Sequence, residues 1–443
     1  MRAGPAVPFE LPLERHLTVG ERVLIGKVLD ALRAVGLPHD QFVLAGRQLA
    51  CLVPQKFRFA AKPGEHLTLG YAVAAFAARP AWYALCSLDD VPGLGILAAA
   101  LLAFVLSDPA GLRAAGASRA ESRTARRAAI RSAAVWTATN ISSMDLEAGP
   151  QGPPAFAPGA TIDCRFVQQP HGAGSTRKFD CVLASGREWK VRYGRDNGEV
   201  YAQVAATRLL WALGFGANRM YPVRVVCRGC PEDPFKGHAP ADASKSVVFD
   251  PATIDVKADG KTIETKKDEG WSWNEVDLVD ESAGGAPRAQ RDALRLLAVL
   301  MQHSSSKAIN QRILCLDEPA CSHTLMMITD VGKTFGRANA LNDDAAGAVN
   351  FKAWSRTPVW KEPAAGCVGN LGWSLTGTLH DPEIREAGRK FLADLLDQLT
   401  DVQLHDLFAV ARVTQRDPSA TIDDRVAAFK QKRTAIATAR CAP

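Results

Sequence analysis

Three short alternating runs, Thr161 to Val167, Lys178 to Ala184 and Glu188 to Tyr193, are separated by turn-forming residues and lead into one strong helical segment. Alternation over so few residues reads as half-buried strands. From Glu199 to Leu213 the period changes: Val200, Val204, Leu209, Leu210 and Leu213 recur at helical spacing, and Gly214 stands where a helix would end. Further strands are expected at Tyr221 to Cys227 and Ser246 to Phe249, followed by a polar insertion to about Gly285. The remainder predicts helices over Arg288 to Gln302, Pro382 to Leu399 and Val402 to Arg412, with a strand pair at Gln311 to Leu316 and Thr324 to Thr329. Strands, one helix, more strands and then a helical half is an α+β order rather than regular βαβ alternation.

A chain of 443 residues has room for two or three domains with sizeable cores. Residues 1–90 give one amphipathic helix, Glu21 to Val35, and then apolar pieces that assemble into no site, and the N-terminal region 1–144 is expected to be mainly helical and otherwise poorly defined. The Gly- and Pro-rich stretch 145–159 reads as a linker, since such composition sustains neither a helix nor a central strand. The expected organisation after it is a strand-rich part over 160–250, an insertion over 251–286 and a helical part over 287–443, without internal repeats.

Charge excludes one class of partner. The net charge of +6 is mild for this length, and Lys and Arg form no aromatic-interleaved patch, so no nucleic acid is expected. The densest basic stretch, Arg113 to Arg131, carries six arginines against Glu121 and reads as a solvated helix face or tether.

Eight of the ten cysteines fall after residue 160, at 164, 181, 227, 230, 315, 321, 367 and 441. An even set suggests disulfides, which persist only after export. The uncharged run Gly93 to Leu106 is too short to span a bilayer but has the length of a signal-peptide apolar region, with Ala115-Gly116-Ala117 following as a cleavage-like site. Two readings stay open: a buried helix, or an internal start that leaves about ninety residues outside the natural product. The expected location is exported, periplasmic or secreted, rather than cytoplasmic, with no stable membrane span. Cys227-Arg228-Gly229-Cys230 also has zinc-ligand spacing, which Cys315 and Cys321 could complete; disulfides rank ahead of free thiols and zinc comes last.

Five features follow one another in the order that phosphoryl transfer from ATP requires. Gly172-Ala173-Gly174-Ser175 lies between the first two strands, where missing side chains let backbone N–H groups approach phosphate. Lys190 sits mid-strand and calls for an anionic partner, and Glu199, nine residues on, opens the helix and could pair with it. His303-Ser304-Ser305-Ser306-Lys307-Ala308-Ile309-Asn310 joins a helix to a strand, and Thr324 to Thr329 ends in Asp330-Val331-Gly332. Each alone is equally a hairpin turn, an exposed lysine, an N-terminal acid, a capping loop or an Asp-x-Gly turn.

The 303–310 loop resembles the protein-kinase catalytic loop HRDLKPEN, with His, Lys and Asn at identical spacing, and Asp330-Val331-Gly332 is similar to the kinase DFG element. The resemblance spans about residues 160 to 340 and is to atypical kinase-like families, HipA-like and secretory-pathway kinases, within an uncharacterised bacterial group; no APE motif follows Asp330. It implies a two-lobed core with a β-rich N-lobe and a helical C-lobe, with ATP and Mg²⁺ as cofactors. It further implies Asn310 and Asp330 as metal ligands, Gly172, Gly174, Ser175, Lys190 and Glu199 around the nucleotide, and His303, Ser305 and Lys307 in the catalytic loop.

One departure bears on chemistry. Where the family's loop places the aspartate that accepts the substrate proton, this chain has Ser305, which is not basic near neutral pH. The expected function is therefore a nucleotide-binding pseudokinase. The alternatives are a weakly active or unconventional phosphoryl or nucleotidyl transferase, and a disulfide- or zinc-stapled binding module that uses no nucleotide. A protein substrate or partner is a further expectation, and Trp271 and Trp273 in the insertion are either part of its docking surface or buried.

Overall fold

The computed structural model describes residues 122–443 apart from 169–175, 238–241, 243, 266–267, 340–346, 362–365 and 373–376. The architecture is mixed α+β. Strands β1 (Thr161–Val167), β2 (Lys178–Leu183), β3 (Glu188–Tyr193), β4 (Arg219–Arg228) and β5 (Ser246–Val256) close into a barrel in the order β1-β2-β3-β5-β4. All neighbours run antiparallel except β1 and β4, whose parallel pairing closes it. Alternation then divides each strand. Phe179, Tyr193 and Phe249 point inward, with ring centroids 4.7–5.5 Å apart, while Lys178, Lys190, Arg192 and Asp255 share the other face.

Helix α1 (Glu199–Ala212) lies against the outside of β4 and is buried on every side but Trp211. Its core partners are the helices α2 (Arg288–Leu300), α3 (Phe351–Arg356), α4 (Glu386–Asp397), α5 (Asp401–Val410), α6 (Val413–Arg416) and α7 (Ile422–Thr438) and the sheet β6 (Lys261–Thr262), β7 (Gln311–Cys315), β8 (Thr324–Ile328). A helix buried all round has to satisfy its own polar groups. Arg208 does so by donating to the carbonyls of Leu146, Met220 and Glu147 at 2.8–3.0 Å.

Several expectations change. The stretch 145–159 is docked rather than a linker: Leu146 is buried and the Tyr221 hydroxyl donates to the Pro150 carbonyl at 2.6 Å. Ile130, Ala133, Val135 and Ile141 join the same core, because their apolar side chains cover α1 and its neighbours. Strand β5 runs on to Val256, so the insertion begins later than 251, and β6 within it adds an edge to β7. Trp271 and Trp273 are core residues and form no surface; Trp271 Nε1 donates to the carbonyls of Arg312 and Met327. The basic stretch enters the described residues as a helix over 122–131, where Arg126 pairs with Glu275 at 2.7 Å and donates to the Gly270 carbonyl. Helix α4 starts at Glu386, four residues after Pro382.

All eight later cysteines are paired, as Cys164–Cys181, Cys227–Cys230, Cys315–Cys321 and Cys367–Cys441. Cys227–Cys230 closes the end of β4 and Cys315–Cys321 the β7–β8 hairpin, so these four sulfurs stand as two disulfides. Among the described residues no helix is long and apolar enough to cross a membrane. The Gly93 to Leu106 run lies outside the described residues.

Candidate functional site

Glu199, Gln203 and Thr207 stand at i, i+4 spacing on α1 and form one buried polar stripe. At its start, Glu199 pairs with Arg192 at 2.7 Å, both side chains under 10% exposed. Arg192 also lies 3.7 Å from Asp255, and Thr176 Oγ1 donates to the second Glu199 oxygen at 2.7 Å. The expected partner Lys190 is thus displaced by Arg192. Both cations point the same way from β3, but the connection 194–198 is so short that the helix begins over the end of the strand, beside Arg192. Lys190 stands opposite Asp180 and Asp255 in the register.

Asp330 follows β8. Its backbone N–H donates to the Asn310 carbonyl at 3.1 Å, as does that of Thr329 at 2.9 Å, so the two motifs recognised in sequence are neighbours. Its carboxylate accepts from Gly332 N at 3.1 Å and from Gln203 Nε2 at 3.3 Å, which brings it to the α1 stripe. Gly332 is required by this approach: a Cβ there would lie 2.6 Å from Glu199 Cγ and 3.0 Å from Gln203 Nε2.

In the 303–310 loop the side chains part company. Asn310 Nδ2 donates to both the Ser305 carbonyl and Ser305 Oγ at 2.8 Å, fixing the turn and leaving the amide oxygen as its remaining ligand atom. Lys307 is exposed. His303 is fully buried 6.2 Å from the Trp273 ring, and neither ring nitrogen has a partner among the described residues. It is a packed residue rather than one lining the site. Ser306 faces inward too, its carbonyl accepting from Thr378 N and Oγ1 at 2.9 Å. Gly172, Gly174 and Ser175 lie outside the described residues.

Electrostatics ties these groups together. Burial pushes the Glu199 and Asp255 carboxyls up, opposed in each case by Arg192, while Asp330 adds to the rise. Burial acts to lower the Arg192 pKa but is outweighed by Glu199, Asp330 and Asp255. Lys178, opposite Arg192 on β2, is lowered by burial and then by repulsion from Arg192 and Lys190. Cations and acids of one cluster therefore sense each other across three strands, a helix and a turn.

Among the described residues no group of three or more His, Cys, Asp or Glu side chains could hold a metal by itself. Asp330 offers one carboxylate and Asn310 an amide oxygen, on residues that meet through their backbones. That suits Mg²⁺, which keeps waters and takes one or two carboxylates alongside phosphate oxygens. Two described surface hollows, of about 480 and 340 Å³, are lined by residues such as Phe156 with Trp189 and Pro222 with Arg412, and include none of this cluster.

Sequence reasoning missed Arg192, Gln203, Asp255 and Lys178. The first two carried a legible signal, at two residues from Lys190 on a strand and four from Glu199 on a helix. Asp255 and Lys178 become neighbours only through strand pairing.

No family model and no curated protein matches the chain. Among solved structures, a Helicobacter pylori proinflammatory kinase, CtkA, is similar over 63% of this chain and 100% of its own, with 11% identity and a TM-score of 0.33. A likeness at that score fixes neither fold nor function.

Proposed function

We propose that the chain carries a two-lobed kinase-like core that binds ATP with Mg²⁺ and transfers phosphate poorly, a pseudokinase. The barrel would be the smaller lobe, β7, β8 and the later helices would belong to the larger, and α1 packs against both. The observation that carries this reading is the meeting of Asp330 with Gln203 on α1 and with the Asn310 backbone, beside the buried Arg192–Glu199 pair. Such a meeting assembles what phosphoryl binding demands, a carboxylate for a divalent cation and fixed cations for phosphate oxygens.

In this reading Asp330 and Asn310 would hold Mg²⁺, which would supply neutralisation of phosphate charge. Arg192 takes the anchoring role first expected of Lys190, and Lys178 and Lys190 supply positive charge on the same face. Lys307, exposed, would face the terminal phosphate, and Gly172, Gly174 and Ser175, which lie outside the described residues, keep only the phosphate-contact role expected from sequence. Ser305 cannot take a proton from an acceptor hydroxyl, which costs roughly 10²–10⁴-fold in rate. His303 does not replace it, since burial pushes its pKa down to about 4 and closes it off from substrate. The pairing of all eight later cysteines supports an exported location.

A weakly active transferase is the second reading, favoured by the intact Asp330 and Asn310 pair. Incubation with ATP labelled on the γ- or α-phosphate separates the two: equilibrium binding without covalent label supports the pseudokinase, and label retained after denaturation supports transfer. A stapled binding module without nucleotide predicts neither.

A further inference from the structure

Gln203 has no part in the reading above beyond its proximity, yet its surroundings are unusual for a buried amide. It is 1% exposed, it donates through Nε2 to Asp330 Oδ1 at 3.3 Å, and its Oε1 has no hydrogen-bond partner among the described residues. A buried carbonyl oxygen without a donor is destabilising unless something supplies one. Turning the amide over would not help, because the oxygen would then face the Asp330 carboxylate. The two ends of an amide share one carbon, so Oε1 stays in the immediate neighbourhood of Asp330. A water held by a cation on Asp330 is the kind of donor that position lacks, since Mg²⁺ retains part of its hydration shell.

Resting on the proposed Mg²⁺ site at Asp330, we propose that Gln203 is a positioning residue. It would fix the Asp330 carboxylate for a cation through Nε2, leave Oε1 to accept a donor that the loaded site would supply, and so tie cation affinity to the seating of α1. Three observations make that tie mechanical. Glu199, one turn earlier on α1, is held by Arg192; Gly332 packs against both Glu199 and Gln203; and Thr207, one turn later, donates to the Gln203 carbonyl at 2.7 Å. The helix cannot shift without carrying the donor away from Asp330.

The test is a Mn²⁺ titration of the whole chain at saturating ATP, read as thermal stabilisation, beside ATP binding in chelator. Gln203→Leu keeps the volume and removes both polar atoms. It should raise the half-maximal Mn²⁺ concentration about tenfold, the worth of one hydrogen bond to a charged group, while ATP binding in chelator reports any loss that does not run through the cation. Gln203→Glu puts a second carboxylate beside Asp330, so it should lose stability in chelator and regain it with Mn²⁺ at a lower concentration than the parent requires. A merely structural glutamine would shift stability in both variants without moving either midpoint, and that result overturns the inference while leaving the nucleotide reading intact. If Gln203→Leu does not fold, Gln203→Glu decides alone: a lowered midpoint supports the inference, and a parent-like midpoint overturns it. A parent without any cation-dependent stabilisation overturns both.

Discussion

Arg192 and Glu199 form a 2.7 Å ion pair with both side chains less than a tenth exposed, joining the end of β3 to the first turn of α1. Removing one partner of a buried pair strands the other charge, at a cost of about 3–5 kcal/mol. Arg192→Met and Glu199→Gln are each expected to lower the unfolding free energy by that order in urea titrations, whereas Lys190→Met, at a half-buried position, should cost under about 1 kcal/mol. A larger loss at Lys190 than at Arg192 would restore the pairing first read from sequence.

His303 sets a pH dependence. Burial holds its pKa at about 4, with Asp330 opposing, against 6.5 for the unfolded chain. The unfolded state therefore binds a proton that the folded state refuses. The neutral histidine's contribution is fully present above pH 6.5 and is lost as pH falls toward 4, amounting to about 3 kcal/mol across the window. His303→Leu should flatten that part of the stability profile, and no protein hydrogen bond is lost because neither ring nitrogen has a described partner. Superimposable profiles for parent and variant would place the histidine in contact with water.

The disulfides should differ in weight. Cys367–Cys441 closes a separation of 74 residues and Cys227–Cys230 one of 3. Loop-closure entropy assigns about 4 kcal/mol to the former and under about 2 kcal/mol to the latter. Chemical denaturation of Cys367→Ala with Cys441→Ala against Cys227→Ala with Cys230→Ala measures the difference. Free thiols at these positions in protein purified from its natural host would remove both the bonds and the argument for export.

Ser305→Asp tests the missing proton acceptor. Asn310 Nδ2 already donates to Ser305 Oγ at 2.8 Å, a bond that a carboxylate at 305 can accept. Phosphotransfer or ATP hydrolysis should rise, at most by the roughly 10²–10⁴-fold that a positioned general base contributes. The structure also selects the control. Ser306 is buried, so an aspartate there would damage the core, whereas Ser304 is only half-buried and makes Ser304→Asp the milder out-of-register control, at the loss of one hydrogen bond to the Lys333 carbonyl. Equal rates in parent, Ser305→Asp and Ser304→Asp would mean that the loop lacks catalytic geometry.

What the sequence made legible was local. Strands β1 to β3, helix α1 and the β7–β8 pair follow their predicted bounds within one or two residues, because each is set by its own periodicity and turn residues. The parallel closure of β1 on β4 and the length of β5 depend on partners far along the chain, which no short window contains. The site divides in the same way. Asp330 and Asn310 were legible as motifs and are neighbours through their backbones. The choice of Arg192 over Lys190 was not, since both occupy one face of β3 and only the placement of α1 decides between them. His303 matched a motif letter, but its burial follows from packing against Trp273, itself delivered by the insertion.

Thermal-shift titration with ATP and Mg²⁺ on the parent and Asp330→Ala reads nucleotide and cation binding at this site. A ligand that binds only the native state adds about 2.7 kcal/mol of stability at a hundredfold excess over its dissociation constant. The parent should show a rising shift with ligand concentration whose Mg²⁺-dependent part disappears in Asp330→Ala, the residue that accepts from Gln203 and Gly332 beside the Asn310 backbone. Identical shifts in both proteins would remove Asp330 from the site, and a parent indifferent to ATP at every Mg²⁺ concentration would contradict the account as a whole.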